Sequence, residues 1–218
     1  MVVSRILCIL IGYIAGLFQT GYIYGKTQNI DIRQHGSGNA GTTNTLRTLG
    51  LKAGAITFAG DCGKAIVAIL VTWLIFHNRY PDVVKLLELY AGLGAILGHN
   101  FPFYMKFKGG KGIACTTGVI IAFHWQMAPL CILVFIATVL ITKYVSFGSI
   151  LLVSVFLVEL IVFGQIGHLP IANSYLPEIY ILGAIFTGMA IWRHRANIKR
   201  LLSGTENKFI IKEMLKKK

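Results

Sequence analysis

Long apolar stretches with few charges constrain the fold of this chain more than any other feature. Stretches of about 20 largely apolar residues, the length of a helix that crosses a bilayer, recur along the 218 residues. Only 13% of the residues are charged, and the mean hydropathy is +0.68. So few charges cannot cover a soluble globule of this size. The sequence therefore predicts an all-α integral membrane protein, with one domain over residues 1–218.

Seven stretches are candidate transmembrane helices: residues 3–25, 53–76, 84–104, 112–123, 127–141, 149–167 and 175–192. The fourth and fifth are short, and they form either one bent unit or two helices, so the predicted count is seven with an uncertainty of one. The first is long for the core of a signal peptide and has no convincing cleavage site, so we expect it to be retained.

Positive charges are distributed unequally between the loops. Lysine and arginine collect on the cytoplasmic side of membrane proteins. With seven spans and a cytoplasmic C-terminus, all 21 of them except Arg5, Arg79 and Lys85 fall on one face. The polar loops described below and a basic tail of about residues 193–218 are therefore predicted to face the cytoplasm.

The net charge of +13 would suggest nucleic acid in a soluble chain, but here the charges follow membrane topology, so we expect no nucleic-acid partner. The cysteines stand singly in apolar surroundings, at Cys8, Cys62, Cys115 and Cys131. They form no Cys-x-x-Cys pair and have no histidine at ligand spacing. This pattern indicates neither a disulfide framework nor a metal site.

A polar, glycine-rich segment at residues 36–47 contrasts with the apolar chain. Its glycines let the backbone direct N–H groups toward one point, and its neutral donors and arginine suit phosphate. A solvated loop remains the alternative. The glycine spacing also matches a dinucleotide-binding fingerprint, but no apolar strand precedes it. A nucleotide-binding P-loop is excluded because the segment lacks the required lysine. The candidate anion-binding residues are Gly36, Ser37, Gly38, Asn39, Gly41, Thr43, Asn44 and Arg47.

Three further polar segments follow. In residues 98–112, Lys108, Gly109, Gly110, Lys111 and Gly112 precede a helix start, where free N–H groups and a cation favour an anion; an ordinary basic loop is the alternative. Residues 143–149 form a short link.

In residues 192–206, His194 and Asn197 share a helix face, and flanking arginines disfavour the cationic histidine. The alternative is that this basic patch only fixes the membrane topology or binds anionic lipid.

Charged residues inside the candidate spans need partners. Asp61 and Lys64 are three apart on a helix and are predicted to pair. Glu88 and Glu159 stand apart from the polar segments, whereas a proton relay normally aligns several groups. A transporter for a phosphorylated metabolite is therefore the weaker alternative to an enzyme, and a non-catalytic membrane scaffold is a third.

Taken together and in order, residues 31–47, 97–112, 144–149 and 193–206 resemble the bacterial acyl-phosphate:glycerol-3-phosphate acyltransferases, the PlsY family of integral membrane enzymes. The resemblance implies seven spans in the bacterial inner membrane with these segments facing the cytoplasm. It also implies transfer of a fatty acyl group from acyl phosphate to the 1-hydroxyl of glycerol 3-phosphate, giving lysophosphatidic acid without metal, cofactor or acyl-CoA. The enzyme that forms the acyl phosphate is a candidate partner.

The resemblance also assigns residues. The implied catalytic residues are Ser37, Arg47, Lys111, Ser149, His194 and Asn197, and Ser146 and Arg193 join the substrate-binding set. Acyl phosphate is already activated, so no covalent nucleophile is needed. His194 is either a general base or a positioning group while the donor phosphate takes the proton. The chain departs from the family pattern at residues 16–21 and at Ala65.

Overall fold

The structure, a computed structural model, describes residues 1–209, which form α-helices joined by turns, 3-10 helices and two longer loops at residues 28–41 and 101–112. The helices are α1 (Val2–Gly16), α2 (Thr20–Thr27), α3 (Thr42–Leu49), α4 (Leu51–Phe76), α5 (Val84–Asn100), α6 (Ile113–Phe123), α7 (Ala128–Thr142), α8 (Val145–Gln165), α9 (Leu176–Arg193) and α10 (Arg195–Leu202). The part of the predicted basic tail after residue 209 lies outside the described residues.

The prediction of an all-helical membrane protein is confirmed. Within the described residues, five helical segments are long and apolar enough to cross a membrane: Val2–Thr27, Leu51–Phe76, Trp125–Thr142, Val145–Gln165 and Asn173–Arg193. Large apolar side chains on them, such as Ile14, Leu74 and Ile141, are exposed on the outside of the bundle. An apolar exterior of this extent suits lipid rather than water.

The predicted spans 112–123 and 127–141 are two helices, α6 and α7. His124 between them is extended, and a 3-10 turn, Trp125–Met127, leads into α7. Since His124 interrupts the helical backbone, the alternative of one bent unit is wrong. Of the two, α6 is the shorter, with 11 residues.

Helices α1 and α5 pack at backbone contact. A Cβ atom at Gly12 would lie 1.9 Å from the carbonyl oxygen of Ala91, and one at Gly94 would lie 2.1 Å from that of Ile9. Small residues allow this close approach between membrane helices. Most of α5 is buried, and the core beside it is built from α4, α5, α6, α8 and α9, with Ile69, Leu89, Val119, Phe156 and Phe186 among its members.

The predicted first span, 3–25, is not one continuous helix. It breaks between α1 and α2, where Gln19 is 1% exposed and its Nε2 donates to the carbonyl oxygens of Gly98 and His99 at 3.3 and 3.0 Å. A side chain of α1–α2 thus compensates carbonyl groups at the end of α5, a contact between residues distant in sequence. The break joins α2 to the polar segments.

The helices alternate in direction, so the bundle has two distinct ends. The end at which α2, α5, α7 and α9 finish holds the four polar segments, and we name it the site end. The opposite end, where α1, α5 and α9 begin, is named the far end.

Candidate active site

A cavity of about 610 Å³ lies at the site end, and residues of all four polar segments line it. Segments that are far apart in the sequence therefore meet at one place, as their chemistry predicts. All six residues assigned to catalysis line the cavity, together with half of the twelve assigned to substrate binding. The lining predicted residues are Ser37, Asn39, Gly41, Thr43, Asn44, Arg47, Lys111, Gly112, Ser146, Ser149, His194 and Asn197.

The other predicted residues, Gly36, Gly38, Lys108, Gly109, Gly110 and Arg193, are not among the lining residues. Lys108 is exposed outside the cavity. Gly36 and Gly38 have φ angles of +58° and +71° and make the turns of the first loop. At Gly36 a Cβ atom would also lie 2.3 Å from Oδ1 of Asn44. These two glycines therefore shape the loop from outside the cavity.

The backbone amides of the glycine-rich loop have protein partners. The Ser37 amide donates to Oδ1 of Asn44 at 2.8 Å, and the Gly41 amide donates to Oδ1 of Asn39 at 2.9 Å. The Asn44 amide group in turn donates to the carbonyl oxygens of Ile32 and His35. The predicted ring of anion-binding amides is therefore largely occupied, and Asn44 supports the loop rather than offering donors to a ligand.

Helix α3 follows this loop and brings its first turn and Arg47 to the cavity. No side chain caps α3. The hydroxyl of Thr42, at its first position, is buried without a hydrogen-bond partner. Buried polar groups are normally satisfied, so this hydroxyl is suited to meet a ligand. Thr42 counts among the neutral donors of the loop in the sequence analysis but is not among the candidate anion-binding residues.

The glycine pair before α6 is also engaged internally. The amides of Gly109 and Gly110 donate to the carbonyl oxygens of Asn100 and His99, each at 3.1 Å. A terminal nitrogen of Arg193 donates to the carbonyl oxygens of the same two glycines at 2.9 and 2.6 Å. Both the amides and the carbonyl groups of the turn therefore have hydrogen-bond partners in the protein. Its role in this structure is to hold Lys111 in place rather than to offer amides to an anion.

Glu206 links the polar side chains at the rim, and the sequence analysis did not list it as a site residue. Ser146 and Asn197 donate to its Oε1 at 3.0 and 2.7 Å, and Arg200 donates to its Oε2 at 2.7 Å. Burial works to raise the pKa of Glu206, but these hydrogen bonds outweigh burial and hold it below the ordinary value. A lone acidic residue within the basic run 192–208 was the available signal.

Lys111 is linked to Glu206 through Asn197, and all three residues line the cavity. Its Nζ donates to Oδ1 of Asn197, whose own amide is held by Glu206. Burial lowers the pKa of Lys111 to about 8, and the nearby negative charge of Glu206 opposes that shift. The ammonium is therefore mostly charged at neutral pH and is desolvated, so an anion in the cavity gains more from it than from a surface lysine.

His194 lies at the junction of α9 and α10 and is 3% exposed. Its Nδ1 is 2.8 Å from the carbonyl oxygen of Ala190. Since a carbonyl only accepts, Nδ1 carries the proton and Nε2 is an acceptor. Burial, followed by the positive charge of Lys111, lowers the pKa of His194 to about 4. The prediction of a neutral histidine is confirmed, and burial contributes more than the flanking arginines do.

Away from these polar groups, the cavity wall is apolar. Part of it comes from α7, and the side chains suit a hydrocarbon chain. The apolar lining residues include Phe58, Ile132, Phe135, Ile136, Val139 and Leu140.

The predicted pair of Asp61 and Lys64 is confirmed, with Oδ1 and Nζ 2.9 Å apart. Asp61 and His99 also line the cavity, which sequence reasoning did not anticipate. Among residues 1–209, no group of three His, Cys, Asp or Glu side chains is arranged to hold a metal ion.

The sequence matches a known family over most of its length. A family model described as glycerol-3-phosphate acyltransferase matches residues 6–204. The glycerol-3-phosphate acyltransferase of Alkaliphilus metalliredigens is 42% identical over 94% of this chain and 95% of its own length. The enzyme of the same description from Bacillus subtilis is 39% identical over 93% of this chain and 96% of its own.

The fold is similar to that of PlsY, an integral membrane glycerol 3-phosphate acyltransferase. The crystal structure of its glycerol 3-phosphate form matches with a TM-score of 0.84 and 32% identity, covering 98% of this chain and 99% of that one. The lysophosphatidic acid form matches with a TM-score of 0.81. With family matches along nearly the full length and the four polar segments gathered at one cavity, this chain belongs to the glycerol-3-phosphate acyltransferase family.

Proposed function

We propose that this acyltransferase takes a fatty acyl group from acyl phosphate and transfers it to the 1-hydroxyl of glycerol 3-phosphate, releasing lysophosphatidic acid and phosphate. This is the first acylation step of phospholipid synthesis. The observation that carries the proposal is the two-part cavity, in which Arg47, Lys111 and Arg200 gather at one part and the α7 side chains line the other. An acyl phosphate has the same division into an anionic and an apolar part.

In the proposed step, the 1-hydroxyl oxygen forms a bond to the acyl carbon. The bond from that carbon to the phosphate oxygen breaks, and the hydroxyl proton ends on the departing phosphate. Arg47 and Lys111 hold phosphate oxygens, and Ser37, Thr43 and Asn39 add neutral donors. Ser149 contributes as an acceptor, because its hydroxyl already donates to the carbonyl oxygen of Val145 at 2.8 Å.

His194 acts in this scheme as a positioning group that accepts a hydrogen bond from glycerol 3-phosphate. Its pKa of about 4 makes Nε2 available at neutral pH but leaves it a weak base. In His194→Gln, the Oε1 atom reaches the former place of Nε2. We expect the KM for glycerol 3-phosphate to rise while kcat is largely kept. A general base would instead lose about 100-fold or more in kcat, and that result would overturn the positioning role.

The direct test is an assay of the purified protein in detergent with acyl phosphate and glycerol 3-phosphate. We expect lysophosphatidic acid and one equivalent of phosphate. Acyl-CoA replaces acyl phosphate in a parallel reaction, and product formed from acyl-CoA alone would overturn the proposed donor. Uptake of glycerol 3-phosphate into vesicles without product would favour the transporter.

We also propose seven membrane passes in the bacterial inner membrane, with the site end facing the cytoplasm. The charge asymmetry supports this orientation, since Arg5, Arg79 and Lys85 are the cations placed on the other side. Single cysteines at Lys108 and Arg79 test it, because we expect impermeant reagents to label them from opposite sides. The enzyme that makes acyl phosphate would dock on the same cytoplasmic face, where its amphipathic product is consumed.

A further inference from the structure

His99, at the end of α5, is 2% exposed and lines the cavity, yet the scheme above gives it no role. We propose that His99 is a further substrate-binding residue, whose Nε2–H donates a hydrogen bond to a phosphate oxygen of acyl phosphate or of glycerol 3-phosphate. This inference rests on the proposed function. It follows from the arrangement of the buried groups that fix the ring.

Lys64 determines which ring nitrogen of His99 carries the proton. Its ammonium has three N–H donors, and three acceptors surround it: the Phe18 carbonyl oxygen at 2.5 Å, Oδ1 of Asp61 at 2.9 Å and Nδ1 of His99 at 2.9 Å. Because an ammonium only donates, Nδ1 is the acceptor. The neutral ring then carries its proton on Nε2.

Asp61 pairs with Lys64 and does not compete for the ring. Its Oδ1 accepts from Lys64 and from the hydroxyl of Thr20, the latter at 3.1 Å. Nδ1 of His99 is 3.6 Å from the same oxygen, beyond hydrogen-bond distance. A buried lysine needs such a counter-charge, so this pair, 1% and 8% exposed, fixes the tautomer of His99.

Gly110 packs against Nε2 of His99. A Cβ atom at Gly110 would lie 2.0 Å from Nε2, closer than any contact allows. No hydrogen bond within the described residues involves Nε2. Lys111, the next residue and the one expected to hold phosphate, lines the same cavity as His99. Because residue 110 is a glycine, no side chain covers Nε2.

The two histidines of the cavity are therefore complementary. His194 is protonated on Nδ1 and offers an acceptor, whereas His99 is protonated on Nε2 and offers a donor. A substrate hydroxyl needs a hydrogen-bond acceptor such as His194, and a phosphate oxygen needs a donor such as His99. Both rings are neutral, so the assignment requires no proton transfer from His99.

Two variants separate a substrate contact from a structural one. In His99→Asn, the amide oxygen takes the place of Nδ1 and keeps the contact with Lys64, but the donor at Nε2 is lost. In His99→Gln, the amide nitrogen reaches the place of Nε2. We expect kcat/KM to fall by about 10- to 100-fold in the Asn variant, as for a lost hydrogen bond to an anion, and by no more than about threefold in the Gln variant.

Separate titrations of acyl phosphate and glycerol 3-phosphate show which phosphate is bound, because the KM of that substrate rises. His124→Asn and His124→Gln, at the far end, are the matched controls, and thermal unfolding confirms folding. A wild-type rate in His99→Asn overturns the proposal, as do equal losses in both folded His99 variants. An inactive wild-type protein refutes the proposed function itself.

Structures of the wild-type protein provide a test that does not depend on the variants folding. We expect a complex with glycerol 3-phosphate, or with a non-hydrolysable acyl phosphonate, to place an anionic oxygen within about 3.2 Å of Nε2. Longer distances in both complexes would overturn the proposal.

Discussion

The two ends of the helical bundle treat charge differently. At the far end two of the three cations have their own carboxylate: Arg5 makes two hydrogen bonds to Glu178 at 2.5 and 2.6 Å, and Lys85 pairs with Glu88 at 2.8 Å. The third, Arg79, lies over the ring of Tyr80. At the site end the described lining contains three cations, Arg47, Lys111 and Arg200, and two carboxylates. One of those carboxylates, Asp61, is already matched by Lys64.

The difference indicates what each end is for. Paired charges at the far end join α1 to α9 and contribute to stability. At the site end Glu206 is shared among Ser146, Asn197 and Arg200, and Lys111 is a desolvated cation nearby. A desolvated ammonium is unfavourable by itself and is stabilised when an anion binds beside it. The site end is therefore arranged for a ligand that brings negative charge.

The largest expected effect comes from removing a cation of the site end. In Lys111→Met, the desolvated ammonium beside Asn197 is lost, and we expect kcat/KM for glycerol 3-phosphate to fall by about 100- to 1,000-fold. The matched far-end change, Lys85→Met, should leave it unchanged. Steady-state kinetics measure both, and similar losses in the two variants would remove the functional distinction between the ends.

Neutralising Glu206 tests whether this carboxylate organises the charged side chains of the site end. In Glu206→Gln, Arg200 loses its ion pair, and we expect kcat/KM to fall by about 10- to 100-fold with a loss of about 1–3 kcal/mol in the free energy of unfolding. Because the pKa of Glu206 lies below its ordinary 4.5, its stabilisation is present above that pH and is lost as the pH falls. Unfolding at pH 7 and pH 4 should therefore show a smaller difference from wild type at pH 4.

The pH profile sharpens the comparison further. Lys111 has a pKa of about 8 and loses its charge as the pH rises, so kcat/KM should decline above pH 8 by up to about tenfold per unit. His194, with a pKa of about 4, should cause no change between pH 5 and 7. In Lys111→Arg, which keeps its charge, the decline should shift to higher pH. If kcat/KM of Lys111→Arg declines over the same pH range as in the wild type, Lys111 is not the group that causes the decline.

The smallest effect is expected at the far end. Replacing Glu178 by Gln weakens its two hydrogen bonds with Arg5 and should lower the free energy of unfolding by about 1 kcal/mol, since both side chains are partly exposed. Thermal unfolding measures this change, and the KM of glycerol 3-phosphate should stay at the wild-type value. An altered KM would mean that the far end influences the site.

Local patterns predicted the helices and the chemistry better than they predicted the contacts. Apolar length located α4 and α8 closely, and polar composition identified Ser37, Lys111 and His194. The break at Gln19 was missed because its partners lie on α5, about 80 residues away. The occupied amides of Gly109 and Gly110, and the central place of Glu206, likewise depend on contacts between distant segments, which neither periodicity nor motif spacing encodes.

The shortness of α6 sets the depth at which the reaction takes place. Its 11 residues rise only roughly 17 Å, whereas the hydrocarbon layer is roughly 30 Å thick. If the last residue of α6 reaches the membrane boundary at the far end, the turn before its first residue lies well below the headgroups of the opposite leaflet. The proposed acyl phosphate donor would then reach the turn by lateral diffusion within its leaflet, with its acyl chain kept in the hydrocarbon layer, and glycerol 3-phosphate would enter from the aqueous side. The geometry favours a donor that never leaves the membrane.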